Sequence, residues 1–96
     1  MKQLLMHQHT FTTPEDNNTF LLSYYLTIEE ICHLDYTYCE SYGILVELIN
    51  CKGGIESRAI SGITPCLDKI EKIVQVMADN MVTPVSLFDA LVDYIS

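Results

Sequence analysis

The stretch Thr19-Phe20-Leu21-Leu22-Ser23-Tyr24-Tyr25-Leu26-Thr27-Ile28-Glu29 decides the fold. Phe20, Leu22, Tyr24, Leu26 and Ile28 take every second position, a period of two that marks a strand with one buried face. Its even-numbered side chains are expected to point inward. Tyr42, Ile44, Val46 and Leu48 repeat the pattern, with Gly43, Leu45, Glu47 and Ile49 on the opposite face. Lys52-Gly53-Gly54-Ile55 follows, and Gly-Gly suits a two-residue hairpin because both residues accept positive φ. A turn centred there sets Leu48 against Ala59 and Ile49 against Arg58.

Further along the chain the period becomes helical. Thr64-Pro65 reads as a helix start, because threonine can cap and proline at the first helical position gives up a donor that would have no partner anyway. Leu67, Ile70, Ile73, Val74, Met77 and Met81 form one apolar stripe, and Asp79-Asn80 offers a stop. Thr83-Pro84 opens a second helix carrying Phe88, Leu91, Val92 and Ile95. Residues 10–18 are rich in turn formers, so residues 1–18 read as an irregular N-terminal arm and 19–96 as a single domain. The expected fold class is α+β, an antiparallel three-stranded β-meander followed by two short helices packed on one sheet face.

The pieces Tyr24-Tyr25-Leu26, Tyr42-Gly43-Ile44 and Val82-Thr83-Pro84-Val85, with a last helix from Leu87 to Ile95, give the chain a resemblance over residues 19–96. It resembles a small family from clostridial bacteria, a domain of unknown function. Residues 29–41 depart from that likeness, being longer than a simple hairpin connection. The resemblance implies the α+β fold and carries over no activity and no catalytic residue.

Charge narrows the function classes. The 96 residues hold 13 acidic and 5 basic side chains, a net charge of −8, with 49% hydrophobic content. That is enough apolar matter for a core. A strongly negative chain is repelled by phosphate, so direct nucleic-acid binding and anionic membrane surfaces are both disfavoured. The apolar run in Met1–Met6 is too short for a signal peptide, and no stretch nears the roughly 20 apolar residues of a membrane span. A cytoplasmic protein is expected, with Cys32, Cys39, Cys51 and Cys66 as free thiols.

Chemistry-bearing motifs are scarce. Phosphate loops, dinucleotide fingerprints, nucleophile elbows and zinc-binding helices are absent from the sequence. Cys32, His33 and Cys39, or His7 with His9, supply metal-ligating side chains without ligand-like spacing, so no metal or cofactor is expected. Glu29 and Glu30 are neighbours on opposite strand faces and form no general acid–base pair. The chain reads as no enzyme.

One segment stands out. From Gln3 to Cys51 there are seven carboxylates and no Lys or Arg, and five of the six tyrosines fall between Tyr24 and Tyr42. Tyrosine supplies rigid contact area with a polar tip, and carboxylates steer a basic partner. Glu29, Glu30, Asp35, Tyr36, Tyr38 and Glu40 are the expected partner-binding residues. The expected function is that of an acidic module covering a basic nucleic-acid-binding surface of a partner protein. By analogy of size and charge, phage and mobile-element inhibitors of anti-CRISPR or anti-restriction type, which often work in this way, are the expected setting. The alternative is a small bacterial regulatory protein, or a homodimer, that uses the open sheet face bearing Leu21, Tyr25, Leu45 and Ile49.

Overall fold

The computed structural model describes residues 2–15, 17–32 and 38–95. Four strands precede two helices: β1 (Lys2–Thr13), β2 (Asn18–Cys32), β3 (Tyr38–Asn50), β4 (Ile55–Thr64), α1 (Leu67–Asp79) and α2 (Leu87–Ile95). The strands form one antiparallel sheet in the order β1-β2-β3-β4, an α+β meander with one strand more than the alternation predicts.

The extra strand lies in what reads as an irregular arm. Its register shifts between Leu5 and His7, so Leu4 pairs with Leu26 while His7, His9 and Phe11 pair with Tyr24, Leu22 and Phe20. The bulge switches the inward set from even to odd numbers, and two of the inward residues are histidines. Neither break leaves a period of two to read. The turn formers are real, but they close a hairpin: Asn17 adopts φ 57° and donates its N–H to the Thr13 carbonyl at 3.1 Å.

On β2 and β3 the expected inward residues are inward. Leu22, Tyr24, Leu26, Tyr42, Ile44 and Val46 join Ile70, Ile73, Val74 and Met77 of α1 and Leu87 and Leu91 of α2 in one core. Tyr24 is buried and its hydroxyl donates to the Val82 carbonyl at 2.8 Å, which ties the sheet to the loop between the helices.

The β3–β4 register differs from the expected one. Ala59 stands against Leu45, Arg58 against Val46, and Ile49 against Ile55. The turn is three residues long and is set by Asn50, whose Oδ1 accepts from the Lys52 N–H at 2.9 Å while its carbonyl accepts from Gly53. An Asx turn with Gly53 at φ 99° wins over the two-residue Gly-Gly turn.

The helix starts also differ. Thr64 ends β4 and Pro65 precedes α1, whose N-cap is Cys66; Thr64 Oγ1 accepts from the Cys66 N–H at 3.1 Å. Leu67 and Met81 are exposed rather than part of the buried stripe. On α2 the buried residues are Leu87 and Leu91, and Phe88, Val92 and Ile95 face outward. α1 ends in a Schellman arrangement, with Met81 N–H on the Ala78 carbonyl and Val82 N–H on that of Met77. Met81 takes the left-handed position at φ 50°, where glycine is usual.

Strand length explains the overall shape. β2 has 15 residues, about 50 Å at 3.3 Å per residue, whereas the 13 residues of α1 span about 20 Å. The sheet therefore runs on past the helices, in a body of 56 × 28 × 17 Å. No helix among the described residues is long and apolar enough to cross a membrane.

Candidate functional site

The acidic segment sits at one end of the sheet, two residues past the Tyr42–Thr64 pair that precedes α1. It is mostly strand rather than connection, because β2 continues to Cys32 and β3 begins at Tyr38. Glu30 pairs with Glu40 and Glu29 with Ser41. Glu30 and Glu40 share the face of Ile28 and Tyr42, the helix side, and Glu29 lies on the open side. Asp35 and Tyr36 lie outside the described residues, and Tyr38 is placed by its backbone alone, opposite Cys32.

Like charges directly opposite each other on neighbouring strands are destabilising. One of the pair is held in place: the Tyr42 hydroxyl donates to Glu40 Oε2 at 2.7 Å. That hydrogen bond, reinforced by burial, keeps the Tyr42 proton on above the ordinary tyrosine range. The sheet register also returns a cation to this end, since Lys2 pairs with Ile28. Lys2, Ile28, Glu30 and Glu40 line a depression of about 400 Å³. Sequence reasoning missed Lys2 because it lies far away along the chain and reaches the site only through the β1–β2 pairing.

The open face carries a second feature. Leu5, Tyr25, Leu45 and Ala59 form one cross-strand row, and Thr10, Leu21, Ile49 and Ile55 another. Between them runs a polar row of Gln8, Ser23, Glu47 and Ser57, in which Gln8 donates to Ser23 at 3.2 Å. Among the described residues this face holds the carboxylates Glu29 and Glu47 and no Lys, Arg or His.

The other candidate ligands do not assemble. His9 Nε2 lies 3.0 Å from the Ala78 carbonyl at the end of α1, and its ring meets Tyr24 edge-on at 6.1 Å. His33 lies outside the described residues, and Cys32 and Cys39 are placed by backbone only. Among the described residues no three His, Cys, Asp or Glu side chains gather to hold a metal. Cys51 and Cys66 are free thiols, and Cys51 joins two turns, its sulfur 3.4 Å from the Thr19 N–H and 3.6 Å from Asn18 Oδ1.

Together these features define a small acidic α+β meander protein with a carboxylate-bearing sheet end and an uncovered apolar sheet face. The chain belongs to the family of unknown function DUF6514, whose model matches residues 1–96 and so takes in β1 with the rest of the sheet. Comparison with curated proteins and with solved structures gives no match.

Proposed function

We propose that this chain is a non-catalytic protein-binding module that covers a basic, nucleic-acid-binding surface of a partner protein. The observation that carries the reading is the in-register pairing of Glu30 with Glu40 at this end of the sheet. A like-charge pair in register costs stability, and a cationic partner relieves that cost on binding. Carboxylates there stand in for phosphates, and Glu29 extends the charge around the sheet edge. Lys2 tempers this end without forming an ion pair among the described residues. An inhibitor borne by a phage or mobile element, of anti-CRISPR or anti-restriction type, is the biological setting that fits such a module.

The test is affinity purification from a bacterial lysate with wild type and with Glu29→Gln/Glu30→Gln/Glu40→Gln. Proteins that handle nucleic acids should be enriched by the wild type at low salt and lost with the variant. The same proteins at the same abundance with both baits would contradict the reading.

The apolar rows of the open face favour a second reading, a homodimer packed sheet on sheet. Its weakness is electrostatic: a symmetric pairing of this face buries Glu47 from each copy with no cation on either surface among the described residues, which costs several kcal/mol per ion. A partner that brings a Lys or Arg to the polar row avoids that cost. Light scattering at high protein concentration separates the two, with a monomer expected.

A further inference from the structure

Two of the five basic residues converge on a groove at the C-terminal end of β4, where Thr64 pairs with Tyr42. Lys69 and Lys72 stand one helical turn apart on α1, and Ile63 of β4, Ile73 of α1 and Tyr94 and Ile95 of α2 line the space beside them. Its volume of about 470 Å³ lies within the range of small-molecule pockets. Among the described residues no carboxylate lines it, and neither ammonium is engaged in an ion pair or hydrogen bond. The apolar wall is left in water: Ile95 is 64% exposed and Tyr94 43%.

Cations at the rim of an apolar floor suit a molecule with an anionic head and a hydrocarbon tail. Lysine fits a carboxylate as a flexible point charge and needs no bidentate geometry. Asp68 and Glu71 alternate with the two lysines along α1 but do not line the groove, so the contrast that draws an anion is confined to the groove wall. We propose that this groove binds a free, straight-chain aliphatic carboxylate, its head between Lys69 and Lys72 and its tail along Ile63, Ile73 and Ile95. The groove adjoins the acidic sheet end through the Thr64–Tyr42 pairing, but it rests on Lys69 and Lys72 and the partner reading on Glu29, Glu30 and Glu40, so each fails on its own variants.

The test is titration of the full chain with hexanoate, octanoate and decanoate below their micelle concentrations, followed by amide chemical shifts. Saturable shifts confined to the groove are expected, with affinity rising about fourfold for each methylene buried. Lys69→Gln/Lys72→Gln should weaken decanoate binding at least fivefold, and Lys52→Gln should leave it unchanged. Decyltrimethylammonium, with the same tail and the opposite charge, should bind far more weakly to the wild-type chain. The proposal is overturned by an absence of saturation at millimolar decanoate, by equal affinity in the double variant, or by equal binding of the cationic probe.

Discussion

Glu30 and Glu40 face each other across β2 and β3, and the Tyr42 hydroxyl fixes Glu40 from two residues away. Two carboxylates in register repel through little intervening protein, while the hydrogen bond holds one of them from turning aside. Neutralising Glu30 removes the repulsion and leaves the Tyr42 contact intact. Glu30→Gln should therefore raise unfolding stability by about 0.2–1 kcal/mol, read from a urea titration. The same variant should bind the partner less well, the trade expected of a site kept for function.

Met81 pays for a left-handed backbone with its side chain half in water. Met81→Gly removes the steric penalty of a β-carbon at φ 50° and keeps both hydrogen bonds that close α1. The expected gain is about 1 kcal/mol, visible as a higher thermal midpoint.

Gly43 has no room for a side chain. A β-carbon there would lie 2.7 Å from Thr27 Oγ1, 2.8 Å from the Ser61 α-carbon and closer still to the Ile60 carbonyl. The crowding coincides with the register shift between Tyr42 and Ile44, where β4 closes onto β3. Gly43→Ala should destabilise by about 1–3 kcal/mol in chemical denaturation, because backbone rather than a flexible chain end must move.

Alkaline pH should find a weak point at Tyr24. Burial raises its pKa from 10.0 to about 12, so the folded state keeps a proton that the unfolded chain gives up. The resulting stability is fully present below pH 10 and is lost as pH rises from 10 towards 12. Tyr42 is shifted in the same direction, chiefly by its bond to Glu40. Denaturation midpoints measured from pH 9 to 12 should fall across that window, and less steeply in Tyr24→Phe. At neutral pH the phenylalanine variant should itself be less stable by about 1–3 kcal/mol, since the buried Val82 carbonyl loses its donor.

Strands β2 and β3 were legible because unbroken alternation of large apolar residues leaves one face with a single place to go. β1 was not, since its bulge resets the phase and its inward positions include His7 and His9, whose polarity hides their role. The hairpin register turned on the Asn50 side chain, a local hydrogen bond that competes with the plain preference of Gly-Gly. In α2 the apolar residues run nearly all round, so composition could not say that Leu87 and Leu91 would be the buried pair. Of the candidate site, the opposite faces of Glu29 and Glu30 followed from strand alternation. The pairing of Glu30 with Glu40 and the return of Lys2 are properties of register, which emerges only when the sheet is assembled.

The central claim is that carboxylates at the sheet end occupy a surface built for phosphates. Competition measures this most directly: a partner captured on the immobilised chain is challenged with a short DNA or RNA duplex at constant ionic strength. The account predicts release of the partner in proportion to duplex added, with a mixture of monovalent and divalent salts of matched ionic strength releasing much less. A partner that stays bound at saturating duplex, or that binds chain and duplex together, would contradict it.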